Sequence, residues 1–140
     1  MIRQFSGEIQ CQTRGRGLID ITRSIDDWLL DAGLQEGVLT VFLQHTSASL
    51  TIQENADPDV LHDLNNFFSN LVPDGSAQYT HTAEGPDDMP AHIRASLTDV
   101  SLGIPVLKGQ MRLGTWQGIY IFEHRTSPHR RKLALNFMGE

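Results

Sequence analysis

Apolar and polar residues alternate along several short segments of the chain, which is the pattern of half-buried β-strands. The clearest segment is residues 37–45, in which Leu39, Val41 and Leu43 share one face and His45 falls on the same face. Short connections containing glycine separate these segments. The complete set of predicted strands is residues 2–11, 18–21, 37–45, 49–53, 104–107, 118–124 and 132–138.

Apolar residues at helical spacing predict three helices. In the strongest, Asp57 is a good N-cap and an apolar stripe follows over residues 60–71. A first helix is expected from a Ser24 cap to the residue before Gly33, and a third begins with Asp88 as its cap. Helices mixed with strands in mostly antiparallel connections indicate an α+β fold.

Composition narrows the class of protein. A chain of 140 residues is typical of one domain, so we expect a single domain over residues 1–140. The net charge of −6 argues against a nucleic-acid binder. One cysteine excludes an internal disulfide and a zinc finger built on thiolates. No segment approaches the roughly 18 apolar residues of a membrane span, and the N-terminus lacks a signal peptide's apolar core, so we expect a cytoplasmic protein.

Three of the six histidines lie where a ligand site is plausible on chemical grounds. His45 ends a strand that is expected to be buried, and Thr46 and Ser47 begin a small polar run that lets a ligand approach the backbone. His81 and His92 lie in a long acidic stretch with glycine and proline breaks. Three imidazoles are sufficient for a catalytic zinc or similar metal with an open position. The alternative is that these are surface and capping histidines.

Two further segments are suited to a phosphorylated ring compound. A glycine-threonine turn precedes Trp116 and Gln117, which can stack on and hydrogen-bond to a planar ring. A hairpin turn that closes onto a buried tryptophan is the alternative. Residues 124–132, with Arg130 and Arg131, hold four of the eleven cationic residues and no acid, and arginine binds phosphate groups in bidentate fashion. Here the alternative is a solvated hairpin tip.

Four separated blocks of this sequence together resemble one known family. They are residues 45–51, 54–58, 84–93 and 113–117. In this order they resemble the YjbQ family, sometimes called secondary thiamine-phosphate synthase. The resemblance implies an α+β domain of antiparallel sheets in a sandwich-like arrangement, with about three flanking helices, assembled as a homotrimer. It also implies a metal site at the matched histidines His45, His81 and His92.

The activity that the resemblance implies is the joining of a pyrimidine pyrophosphate to a thiazole phosphate with release of pyrophosphate, either as the main reaction or as a side reaction of a different metal-dependent function. Such a reaction needs a cation and basic groups at the leaving pyrophosphate. Three imidazoles favour zinc or a similar transition metal, and Mg²⁺ is possible with pyrophosphate. The expected catalytic residues are Glu54, Asp87 and Asp88. The expected substrate-binding residues are Thr46, Ser47, Asn55, Thr115, Trp116, Gln117, Arg130 and Arg131.

Two other functions are compatible with the same residues. One is a metal-dependent hydrolase of a small phosphorylated or carbonyl substrate, with Asp87 or Glu54 as the general base. The other is a non-catalytic binding protein for a small molecule, in which the metal is structural. An open coordination position favours catalysis, whereas four protein ligands favour a structural metal.

Overall fold

The predicted strands and helices form an α+β fold, as the pattern of alternating and helically spaced residues indicates. The structure, a computed structural model, describes residues 1–75 and 77–140. Within these residues the elements are β1 (Arg3–Gln12), β2 (Gly17–Asp20), α1 (Thr22–Ala32), β3 (Gly37–Leu43), β4 (Ala48–Glu54), α2 (Pro58–Leu71), α3 (Asp88–Leu97), β5 (Ser101–Leu107), β6 (Gln110–Met111), β7 (Gln117–Glu123) and β8 (Arg130–Gly139).

Two antiparallel sheets enclose the hydrophobic core. One contains five strands in the order β1-β8-β3-β5-β6, and the other contains three in the order β2-β7-β4. The alternation predicted along β3 is confirmed, because Leu39, Val41 and Leu43 are all fully buried. They pack with Ile119 and Ile121 of β7, so the inner faces of both sheets contribute to one core.

The helices follow their sequence signals with two shifts, at the start of α1 and at α3, whose N-cap is Asp87 and not the predicted Asp88. The Asp57 carboxylate accepts a hydrogen bond from the Asp59 amide at 2.9 Å, so the predicted N-cap of α2 is confirmed. Helix α1 begins at Thr22, before the predicted Ser24 cap, because the Thr22 hydroxyl accepts a hydrogen bond from the Ile119 amide and ties the helix start to β7. Among the described residues, no helix combines the length and apolarity needed to cross a bilayer.

Strands β4 and β7 define two ends that organise the candidate site. Their antiparallel register pairs Ala48 with Glu123 at one end and Glu54 with Gln117 at the other. Six residue steps separate these pairs, which corresponds to about 20 Å along an extended strand. We call the end at Ala48 and Glu123 the histidine end, and the end at Glu54 and Gln117 the tryptophan end.

Candidate metal centre

Two imidazoles and one carboxylate meet at the start of α3. Asp88 is the first residue of the helix, His92 follows one turn later, and His81 lies in the preceding loop. The Asp88 Oδ2 atom lies 2.6 Å from His81 Nε2 and 3.1 Å from His92 Nε2. Ligand atoms of the three residues all lie within 4.8 Å of one another, so a single ion can contact all of them.

A backbone contact determines which nitrogen of His92 faces this cluster. His92 Nδ1 lies 2.9 Å from the carbonyl oxygen of Thr46, and a carbonyl can only accept, so Nδ1 carries a proton. In a neutral imidazole, the lone pair of Nε2 then points at the ionised Asp88 oxygen. Two acceptors facing each other repel unless a proton or a metal cation lies between them. The cluster therefore fits a cation, and the Thr46 carbonyl orients one of its ligands as metal-binding histidines require.

Arg125 holds the carboxylate of Asp88 from the other side. Its Nη1 atom lies 2.9 Å from Asp88 Oδ1, so Oδ2 remains free for the imidazoles. Burial raises the pKa of Asp88, but the hydrogen bond with His81 and the charge of Arg125 outweigh burial and lower the pKa below its usual value. The carboxylate thus stays ionised. Sequence reasoning missed Arg125 as a site residue, although it lies in the basic segment 124–132.

Asp87 anchors the neighbouring loop, which disagrees with its predicted catalytic role. Its Oδ2 atom accepts hydrogen bonds from Arg125 Nε at 2.9 Å, from the Thr126 amide at 2.9 Å and from the Thr126 hydroxyl at 3.1 Å. Burial raises the pKa of Asp87, but these hydrogen bonds outweigh it and hold the pKa well below the usual range. A carboxylate so weakly basic and so fully bonded is a poor general base.

His45 does not join His81 and His92 in the described part of the chain. Its Nε2 atom accepts a hydrogen bond from the Lys132 amide at 2.8 Å, and its Nδ1 atom faces Arg131 Nη1 at 3.4 Å. Burial, and then the charge of Arg131, lower its pKa. Strand β3 ends at Leu43, so the alternation that predicted the direction of His45 no longer applies there. Within one chain, Asp88 lies with His81 and His92 where the resemblance implied His45.

Arg131 and Ser47 are buried structural partners, whereas the sequence placed both at the substrate. Arg131 is 3% exposed and forms an ion pair with Glu123 of β7, with Nε 2.7 Å from Glu123 Oε2. Its Nη2 atom also donates to the hydroxyl of Ser47 at 3.0 Å and to the Ser47 carbonyl at 3.2 Å. These bonds occupy the guanidinium and leave no face for phosphate. Arg130, by contrast, is exposed.

The remaining predicted residues lie together at the tryptophan end, about 20 Å from the histidine end along β4 and β7. Trp116 is 62% exposed, so the alternative of a turn closing onto a buried tryptophan is wrong. The Asn55 amide donates to the Trp116 carbonyl at 2.9 Å, and the Gly114 amide donates to Gln117 Oε1 at 2.7 Å. The single chain therefore does not bring its tryptophan end to the metal cluster. The predicted residues in this group are Glu54, Asn55, Thr115, Trp116 and Gln117.

A cavity of about 290 Å³ opens beside His81. Tyr79 and Met89 contribute an aromatic and an apolar side chain to its lining. This volume lies near the lower limit for small-molecule sites. Tyr79 is a second residue that sequence reasoning missed as a site residue, and its position at the start of the acidic loop was the available signal. A larger hollow of about 590 Å³, lined in part by Arg14 and Thr126, lies at the same end of the molecule.

Comparisons with known proteins agree on one family. A sequence model described as UPF0047 protein YjbQ-like matches residues 7–140. A UPF0047 protein of Synechocystis sp. is 48% identical over 99% of this chain and 94% of its own length. The UPF0047 protein YjbQ of Escherichia coli O157:H7 is 45% identical over 97% of this chain and 99% of its own. A crystal structure of a yjbq/upf0047 family protein from Clostridium acetobutylicum superposes with a TM-score of 0.85 at 37% identity, covering 93% and 98% of the two chains.

Proposed function

This chain belongs to the UPF0047 YjbQ-like family, and we propose that it is an enzyme whose activity depends on a divalent metal ion bound by His81, Asp88 and His92. The observation that supports this proposal is that both imidazole Nε2 atoms face one oxygen of an ionised, buried carboxylate. Two imidazoles and a carboxylate favour zinc or a similar transition metal over Mg²⁺. Three protein ligands leave a position for substrate.

The reaction that we propose joins a pyrimidine pyrophosphate to a thiazole phosphate and releases pyrophosphate. The metal ion would supply Lewis acidity toward the phosphate oxygens. Arg14, Arg130 and Lys132 are exposed cations at the histidine end and can bind the phosphate groups of the substrates. Tyr79 can hold a planar ring in the cavity beside His81, a role that the sequence had assigned to Trp116.

The same contacts weigh against the two other functions. A hydrolase needs a general base near the metal, but Asp87 is fully bonded and Glu54 lies at the opposite end of the chain. A structural metal needs four protein ligands, and the ligand group found in the described residues contains three. The lack of a suitable general base and the presence of only three protein ligands in the described residues both favour a catalytic ion that assists a phosphorylated leaving group.

Metal binding and product formation test this proposal together. Calorimetric titration with Zn²⁺ should give about one ion per chain, and His81→Ala and His92→Ala should each weaken binding by at least about 100-fold. His62→Ala is the matched control, because His62 lies exposed on α2. His45→Ala should also retain the ion. Formation of the joined thiamine-type phosphate from the two precursors should be lost in the first two variants. Unchanged Zn²⁺ affinity in both would refute the ligand assignment.

A further inference from the structure

Side chains suited to one site are divided between two ends of the same strand pair. The metal cluster lies at the histidine end, and Asn55, Trp116 and Gln117 lie at the tryptophan end, about 20 Å away. We infer that the working site forms between two copies of this chain, with the tryptophan end of one copy packed against the histidine end of the next. This inference rests on the proposed metal site and adds the surface that completes it.

The tryptophan end has the properties of an interface anchor. Trp116 exposes 62% of its surface, yet its backbone carbonyl accepts a hydrogen bond from the Asn55 amide. The side chain of Gln117 closes the same turn by accepting from the Gly114 amide at 2.7 Å. These bonds hold the backbone of the turn. Tryptophan is enriched at interface centres because its large ring has only two side-chain torsions to order on burial. The turn thus presents a preformed aromatic surface.

Charge at the two ends selects a second copy of this chain as the partner. Carboxylates outnumber the cations Arg23 and Arg112 at the tryptophan end. At the histidine end, the cations that remain outside its internal ion pairs outnumber the exposed carboxylate of Glu84. The acidic set is Asp20, Glu54, Asp57 and Asp59, and the basic set is Arg14, Arg130 and Lys132. In the described parts of the chain, neither set forms an ion pair with a side chain of its own molecule. Unlike ends therefore attract, and like ends repel.

Contact between unlike ends is head-to-tail, and repeated head-to-tail contacts close into a ring when the rotation permits. Each contact would place Trp116 of one copy over the open side of the next copy's metal cluster. Such a cover excludes water from the reacting centre.

Mixed oligomers with separated defects test the shared site without an activity assay. The first chain carries Trp28→Phe and His81→Ala, so that Trp116 is its one tryptophan and its metal cluster is disabled. The second carries Trp28→Phe and Trp116→Phe, so that it binds metal but has no tryptophan. The two are co-expressed with different tags and purified in tandem.

Co²⁺ is the probe of the mixed oligomer, because a bound paramagnetic ion quenches a nearby tryptophan. Every mixed ring then has a Trp116 facing an intact cluster of its neighbour, and about half or more of the fluorescence should be lost.

A matched mixture distinguishes a shared site from a site within one chain. A chain with Trp28→Phe alone is diluted into an excess of chains that carry Trp28→Phe, His81→Ala and Trp116→Phe. Its own cluster and its own Trp116 are then both intact, but its neighbours have neither an intact cluster nor Trp116. Co²⁺ should therefore leave its fluorescence unchanged. Quenching here, without quenching in the first mixture, places the site within one chain and overturns the inference. Failure of the two tagged chains to purify together also overturns it.

The two proposals fail in different ways. If the wild-type protein does not bind Co²⁺ in calorimetry, the metal site is wrong and the shared site is lost with it. If Co²⁺ binds and requires His81, yet Trp116 of the first mixture is not quenched, the metal site stands and the shared site alone is refuted.

Discussion

The two oxygens of the Asp88 carboxylate face different partners. Oδ1 binds Arg125 at 2.9 Å, and Oδ2 faces the imidazoles of His81 and His92. The arginine therefore fixes the carboxylate without occupying the oxygen that a metal ion would use. The acidic stretch that contains His81 and His92, together with the family resemblance, placed both histidines in one predicted site. Sequence spacing could not place His45, whose partners lie 86 and 87 residues further along the chain.

The composition of its sequence segment gives the wrong prediction for the burial of His124. It lies in a segment rich in arginine, which favours solvent exposure, yet it is fully buried beneath that segment. Its Nε2 atom lies 2.8 Å from the hydroxyl of Ser49, and its ring packs against Phe122. Burial, followed by the charge of Arg94, lowers the pKa of His124 to about 3. The folded protein thus keeps this imidazole neutral.

The buried imidazole makes stability fall in mild acid. The pKa of His124 in the unfolded chain is 6.5, above its folded value, so the unfolded state binds the proton first. Stability from this group is complete above pH 6.5 and is lost as the pH falls toward 3. The free energy of unfolding should decrease by up to about 1.4 kcal/mol per pH unit from this group. Urea titrations at several pH values should show a shallower slope for His124→Gln, while His62→Gln should keep the wild-type slope. Equal slopes for all three proteins would contradict the assignment.

At the scale of elements, the apolar patterns predicted most strands closely. Strands β1, β2, β3, β4, β7 and β8 lie within two residues of their predicted bounds, whereas β5 begins three residues before its predicted start. Strand β6 has two residues, too few for alternation to register. Helix α2 was predicted from its apolar stripe, but none of its described residues is fully buried, and Phe67 and Leu71 are exposed. Periodicity identifies an apolar face and cannot say whether the same chain covers it.

The ion pair between Glu123 of β7 and Arg131 of β8 joins the two sheets at the histidine end. Because both side chains are buried, removing one partner leaves the other charge unpaired. Arg131→Met should therefore lower the free energy of unfolding by about 3–5 kcal/mol. Arg3→Met, an exposed arginine on β1 outside the basic set of the histidine end, should change it by less than about 0.5 kcal/mol. Chemical denaturation measures both, and a small effect of Arg131→Met would show that the pair contributes little.

At the scale of the whole molecule, the outer face of the five-stranded sheet carries exposed apolar side chains at adjacent positions. Val38 of β3 pairs directly with Met138 of β8, and both are exposed. Phe42 lies on the same face of β3 and is 44% exposed. Thr40 lies between Val38 and Phe42, so the face alternates apolar and polar side chains, and its exposed apolar groups are suited to burial against another chain. A copy packed on the histidine end can reach Phe42, which lies near the end of β3 and only three residues before His45.

If the ring is the homotrimer that the family resemblance implies, its mass should be three times the 15.6 kDa of the chain, measured by light scattering at low salt. Phe42→Lys should shift the protein to the monomer mass, because an interface buries the new ammonium group without a partner. Leu30→Lys is the matched control: Leu30 is also exposed, at 76%, but lies on helix α1 away from the sheet face. Leu30→Lys should leave the mass unchanged.

Circular dichroism of Phe42→Lys must retain the wild-type spectrum, so that loss of assembly is separated from loss of fold. A wild-type monomer, or a Phe42→Lys protein that still has the trimer mass, would exclude this face from the assembly.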